Sequence, residues 1–182
     1  MSKQIALAVL LALLPATTRA QLQRAPIPPA WFEVNGGAVF ESGDQDADTG
    51  WLAGVRAGIN FTSVWAVEAE VFRDEQSFAS GIDLEHTGGA VNLVKYNRTP
   101  LWNPYFLIGV GALRYELPDD SDADYMAHVA VGGQWDLTEG GVQLRAELRY
   151  RYSPVDSALA PGILEDTAPV FRLGIMIPLG GR

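Results

Sequence analysis

Along Val142–Tyr152 apolar and polar residues alternate without a break. Val142, Leu144, Ala146, Leu148, Tyr150 and Tyr152 occupy one set of positions; Gln143, Arg145, Glu147, Arg149 and Arg151 occupy the other. A β-strand turns successive side chains to opposite faces, so this segment has one greasy face and one charged face. The same reading predicts strands over Trp31–Phe40, Trp51–Phe61, Val64–Arg73, Leu84–Lys95, Tyr105–Tyr115, Tyr125–Leu137, Val142–Tyr152 and Pro169–Leu179. Each is close to the ~9–11 residues a tilted strand needs to cross a bilayer's hydrocarbon. Closed on itself with grease outward and charge inward, the pattern is that of an all-β, eight-stranded antiparallel up-and-down transmembrane β-barrel.

The N-terminus reads differently. Lys3 precedes an uncharged apolar run from Ile5 to Pro15, and Thr18-Arg19-Ala20 offers small residues for cleavage after Ala20. That run is about half the ~20 residues of a spanning helix, so residues 1–20 are expected to be a signal peptide rather than an anchor. Residues 21–30, with three prolines and no alternation, read as a linker, and residues 31–182 as the barrel domain. The chain has no cysteine, which excludes a lipid-modified N-terminal thiol, disulfides and thiolate metal sites.

Charge narrows the partners. The full chain carries a net −9, and loss of Lys3 and Arg19 leaves 11 basic against 22 acidic residues, a net −11. Nucleic acid, whose phosphates need a positive surface, is not an expected partner. Only Lys95 remains of the lysines that a soluble β-protein would spread over its wetted face.

The connections alternate in length. With a periplasmic N-terminus, Glu41–Gly50, Asp74–Asp83, Glu116–Asp124 and Ser153–Ala168 face outward, while Thr62-Ser63 and Thr138–Gly141 form short inner turns. Tyr96–Pro104 is a longer inner turn. Trp31, Trp65, Trp102, Tyr105 and Trp135 fall at the inner strand ends, and Phe40, Trp51, Phe72, Tyr115, Tyr125 and Tyr152 at the outer ends. Two aromatic girdles at the headgroup levels are expected of a membrane barrel. A secreted barrel with its apolar face turned inward around a ligand is the competing architecture. The girdles and the scarcity of lysine favour the membrane.

Certain segments resemble a known family. They are Val91-Asn92-Leu93-Val94 leading into Asn103-Pro104-Tyr105-Phe106-Leu107-Ile108-Gly109-Val110-Gly111, then Leu144-Arg145-Ala146-Glu147-Leu148-Arg149-Tyr150, and the last strand. Together they resemble the small eight-stranded outer-membrane barrels related to the N-terminal domain of outer membrane protein A. The resemblance spans about Trp31 to Leu179 and implies the outer membrane of a Gram-negative cell, reached through the periplasm after signal cleavage. It also implies an insertion signal of the form polar-x-Gly-x-x-apolar-x-aromatic. Arg172, Gly174 and Ile177 match it, with Leu179 at the aromatic position. Outer-membrane lipid and lipopolysaccharide, and the insertion machinery during biogenesis, are then the expected partners of a monomer. The chain leaves no room after Leu179 for the peptidoglycan-binding domain of outer membrane protein A, so tethering of that kind is not expected. The family includes structural proteins, adhesins and enzymes, so its motifs do not select an activity.

Chemistry-bearing residues fall into three groups. Arg56, Arg145, Arg149, Arg151 and Arg172 are predicted to face the lumen with Glu68, Glu70 and Glu147. An eight-stranded barrel is only wide enough for its side chains to fill, so forked Arg–Glu pairs forming a plug are the expected solution. The alternative is a narrow, porin-like channel for small solutes or ions. His86 and His128 form the second group. Barrel enzymes that trim lipid A resemble this chain in size and use a His-x-Ser pair, but Gly88 and Ala130 stand at the serine positions here. No enzyme activity, cofactor or high-affinity metal is expected, and the leading role is structural or surface-interaction. The third group is acidic. Asp44, Asp46 and Asp48, and Asp120, Asp122 and Asp124, open with calcium-loop spacing but lack the sixth-position glycine and the twelfth-position glutamate. Weak divalent-ion binding near lipopolysaccharide phosphates is the expectation for them. No lysine or arginine lies in any of the four outer connections.

Overall fold

The computed structural model describes residues 28–40, 49–77, 83–97, 99, 102–117, 120–153 and 166–179. These form eight strands: β1 (Ala30–Val39), β2 (Gly50–Asn60), β3 (Trp65–Ser77), β4 (Asp83–Tyr96), β5 (Asn103–Leu117), β6 (Asp120–Asp136), β7 (Gln143–Ser153) and β8 (Asp166–Leu179). Each is hydrogen-bonded to its sequence neighbour, and β1 pairs antiparallel with β8, which closes the barrel. Closure leaves no strand edge, the condition for placing a sheet in hydrocarbon, where no water satisfies free backbone groups. The signal-peptide and linker readings lie outside the described residues, apart from the linker's last residues. There the carbonyls of Pro28 and Pro29 accept hydrogen bonds from Asn60, and strand structure has already begun at Ala30.

Alternation decides which face is which. Val55, Ile59, Val71, Val91, Ile108, Val110, Val129, Val131, Leu148 and Ile175 point out of the barrel and are exposed. Their neighbours one position away are buried in the lumen, so the architecture with grease inside around a ligand is not the one observed. β5, apolar on both faces in sequence, supplies Phe106, Ile108 and Val110 to the wall and Tyr105, Leu107 and Leu113 to the interior. Inside, Val39, Leu52, Phe72, Leu113, Met126 and Val170 form an apolar layer toward the outer mouth. Ala66, Val94, Tyr96, Tyr105, Leu107 and Ala130 form another toward the end that carries the short turns. The charges lie between them.

Two expectations are corrected. Five strands run further than hydropathy indicates: β3 continues to Ser77, β4 starts at Asp83, β5 spans Asn103–Leu117, and β6 and β8 begin at Asp120 and Asp166. The apolar face marks the hydrocarbon slab, whereas the backbone ladder continues into the wetted zone, where polar side chains suit it equally well. The aromatic girdles are also thinner than expected, because Trp31, Phe72, Tyr105 and Tyr115 are buried in the lumen. Each shares the parity of an inward residue on its own strand, and strand-end position alone did not reveal that. Phe40, Trp51, Tyr125 and Trp102 do face outward, and Trp102 stacks on Trp135 at 5.6 Å. The inner turn after β6 reverses at Gly141, whose φ of 85° a side chain would oppose.

Leu148 sits in the middle of β7's outward face, 54% exposed, between Leu144 and Tyr152. Leu148→Arg should therefore destabilise the barrel by roughly 2–4 kcal/mol, the cost of a cation at mid-bilayer. Reversible urea unfolding in lipid vesicles measures it, and a change below about 0.5 kcal/mol, within the ordinary surface range, would contradict the outward assignment.

Candidate functional site

The lumen holds ten buried charged side chains among the described residues, besides the histidines. Five are cationic (Arg56, Arg145, Arg149, Arg151, Arg172) and five anionic (Glu33, Glu68, Glu70, Asp74, Glu147). β3 and β7 lie four strands apart in either direction around the ring, so they face each other across the lumen. The principal pairs span that gap. Arg145 on β7 forks onto Glu68 on β3, with Nη1 to Oε1 at 2.7 Å and Nη2 to Oε2 at 3.2 Å. Arg149 forks likewise onto Glu70, with Nη2 to Oε2 at 3.0 Å. Arg151 reaches Asp74 Oδ2 at 2.8 Å.

Neighbouring strands knit these braces together. Arg56 donates two bonds to Glu147, at 3.2 and 3.3 Å, and one from Nε to Glu70 at 3.2 Å. Arg172 donates to Glu70 Oε2 at 3.0 Å, and Arg149 Nε to Glu147 Oε1 at 3.0 Å. Glu33 on β1 lies 3.4 Å from Arg145 and 3.7 Å from Arg56. Tyr105 accepts from Arg145 Nε at 2.7 Å and donates to Glu147 at 2.8 Å. Its ring centroid is also 4.2 Å from that guanidinium, and Phe72 packs against Arg172 at 5.0 Å. Planar guanidinium forks that also stack on rings fill a narrow lumen in a way a lysine could not.

Glycines make the room. A side-chain carbon on Gly58 would strike the Trp31 indole, one on Gly132 the Tyr105 ring, and one on Gly174 the Glu33 carboxylate at 2.6 Å.

All eight lumen residues expected from sequence are thus brought into one connected layer, except that Arg151 pairs higher up, beside His86. Two members were missed. Glu33 alternates in phase with Trp31 and Asn35, so its inward position was legible. Asp74 falls in the predicted outer connection Asp74–Asp83, because β3's extension beyond the slab leaves no hydropathy signal. His86 Nδ1 lies 3.3 Å from Asp74 Oδ1, and its ring meets Tyr115 edge-on at 4.9 Å. His128 Nε2 lies 2.8 Å from Asn92 Oδ1, which makes Nε2 the donor.

The other candidates are spread out. Of the insertion-signal residues, Arg172 and Gly174 face inward, while Ile177 and Leu179 face outward at the periplasmic end of β8. Asp44, Asp46 and Asp48 lie outside the described residues. Asp120, Asp122 and Asp124 belong to β6 rather than to a loop, a correction to the sequence reading. Alternate residues on a strand follow at roughly 7 Å along the backbone rather than closing into a tight turn. Among the described residues no three His, Asp or Glu side chains are grouped so as to hold a metal.

A closed barrel of membrane-length strands, apolar outside and charged within, is a small transmembrane barrel. The chain belongs to the outer membrane protein β-barrel domain family, which it matches over residues 6–174. Among solved structures it is similar to the Neisserial surface protein A, with 14% identity, a TM-score of 0.69, and 83% of this chain and 97% of that one covered. The N-terminal β-barrel domain of Pseudomonas aeruginosa OprF aligns at 19% identity and a TM-score of 0.52, over 81% and 94% of the two chains. The outer membrane enzyme PagL aligns at 14% and 0.52, over 82% and 99%. At these identities the likeness is one of fold. No curated protein sequence matches the chain.

Removing one partner of a buried pair leaves the other charge uncompensated, at about 3–5 kcal/mol. Arg145→Ala, which removes the forked partner of Glu68 and leaves it with Arg56 at 3.5 Å, should lower barrel stability by that amount in urea unfolding. Glu85→Gln, which breaks the exposed pair with Arg73, should cost no more than about 1 kcal/mol. Equal, small losses at both positions would mean that Arg145 does not brace the lumen.

Proposed function

We propose that this is a non-enzymatic outer-membrane barrel whose working surfaces are its wall and outer rim, in a structural or surface-interaction role. On this reading the chain is exported through the periplasm after cleavage at Ala20 and inserted through β8, with Arg172, Gly174, Ile177 and Leu179 as the signal. The observation that carries the proposal is the set of cross-lumen pairs between β3 and β7. Forked Arg145–Glu68 and Arg149–Glu70 bonds lie across the path an ion would take. Among the described residues five buried cations balance five buried anions. The lumen therefore lacks the single-sign ring that draws one kind of ion through a pore. The apolar layers above and below add two further barriers.

The placement of the histidines supports the absence of lipid chemistry. A lipid substrate approaches from the wall, whereas His86 and His128 are buried within the lumen. The outer segments, acidic and without lysine or arginine, present a surface suited to cationic partners and to weak, exchangeable divalent ions around Asp44–Asp48 and Asp120–Asp124.

Planar-bilayer recording of the refolded chain tests the plug. The expected trace is flat, without unitary steps, at moderate voltage and molar potassium chloride. Sustained, ion-selective steps from the unmodified protein would replace this reading with that of a narrow channel.

A further inference from the structure

Asn60 holds the chain just before its first strand. Its backbone N–H donates to the Pro29 carbonyl at 2.9 Å, and its side-chain Nδ2 donates to the Pro28 carbonyl at 2.8 Å. Two consecutive carbonyls are thereby fixed at the end of β2, one step beyond the last β1–β2 partners, Ala30 and Ile59. A proline carbonyl accepts, but a proline nitrogen has no hydrogen to give, so the β1 side of the ladder cannot lengthen in the regular way past this point. Pro26 repeats the restriction two residues upstream. The clip marks where barrel ends and tail begins, beside the short turn between β2 and β3.

What the tail begins with follows from its sequence. Cleavage after Ala20, part of the function proposed above, makes Gln21 the first residue of the mature chain. It stands seven residues before Pro28 and so within roughly 25 Å of the clip, even along a fully extended chain. A glutamine at a chain end differs chemically from one inside the chain. Its free α-amino group and its own side-chain amide carbon can close a five-membered ring. That amine titrates close enough to neutrality for an uncharged, nucleophilic fraction to be present at pH 7. Carrying nucleophile and amide on one residue makes the attack intramolecular, with the entropic advantage that brings. Gln23, whose nitrogen lies in a peptide bond, has no such amine.

We propose that Gln21 of the mature chain is cyclised to pyroglutamate. The α-amino nitrogen forms a bond to the side-chain carbon Cδ, the bond from Cδ to Nε2 breaks, and a proton of the amine leaves with Nε2 as ammonia. No oxidant, reductant or second substrate enters the balance. The product is a neutral lactam, so the tail loses its terminal positive charge and keeps Arg24 as the only charged residue between positions 21 and 29. The lactam offers no free amine to an aminopeptidase, which closes the end from which the tail could be trimmed toward the clip. The inference rests on cleavage at Ala20 and is independent of whether the lumen conducts.

The test uses the full chain exported by cells, with free amines capped by isotope-labelled acetic anhydride at harvest, before extraction. The cap prevents any later ring closure, so a ring found afterwards was formed in the cell. The amino-terminal peptide is read by tandem mass spectrometry. It should start at residue 21, be lighter than the encoded peptide by one ammonia, and carry no cap at its end. Pyroglutamyl aminopeptidase should then remove that residue and expose Leu22. Gln21→Ala, which keeps the small residues before the cut, should give a capped amino terminus with no loss of ammonia. A wild-type peptide that starts at residue 21 and carries the cap overturns the cyclisation and leaves the export reading standing. A peptide that starts elsewhere, or a chain that retains residues 1–20, overturns both.

Discussion

Everything in this molecule follows from the demand that each backbone amide find a partner without water. The β1–β8 ladder meets it by returning the sheet to its own first strand, so the wall has no open edge. Closure then sets a second demand. Eight strands enclose a space too narrow for bulk solvent and too wide to be left empty, and alternation sends half of every strand's side chains into it. The apolar half is needed outside against lipid, so the interior inherits the polar half.

The ten interior charges among the described residues are the response to that inheritance. A charge taken out of water is costly, and the cost is offset only when its hydrogen bonds are satisfied in good geometry. Forked bonds between opposed strands do this, while Trp31, Phe72 and Tyr105 stack against the flat guanidiniums. The arrangement also defends the register. A slip of one residue on β7 would turn Arg145, Glu147, Arg149 and Arg151 together into hydrocarbon. Lumen glycines such as Gly58 and Gly132 belong to the same solution, because a large side chain lies where each would carry its Cβ.

With five cations set against five anions among the described lumen residues, the proposed role places the protein's capacity for interaction on its exterior. The wall is mostly featureless grease. It is interrupted toward the periplasm by Lys95 above Trp65 and by the Trp102–Trp135 stack, and toward the outside by the arginine pair of β3 and β5. Beyond the wall the charge turns acidic. The lipid boundary and the outer rim therefore present opposite signs within a few residues of each other on β3, from Arg73 to Glu75.

Much of this was legible in the order of residues. Period-two alternation needs no tertiary information, so the number of strands, their antiparallel succession and the shared face of the arginines and glutamates could be read directly. Glu33 obeyed the same rule and was overlooked. Other features were not local. Asp74 has no apolar neighbours to mark its strand, and only the continuing ladder and Arg151 across the lumen show that it is interior. Trp31, Phe72, Tyr105 and Tyr115 stand at strand ends like girdle residues, but parity on the closed sheet turns them inward. Which arginine meets which glutamate depends on the stagger with which eight strands close. That stagger is a property of the whole ring, so residues 77 apart in sequence, such as Glu68 and Arg145, become partners only once the ring is complete.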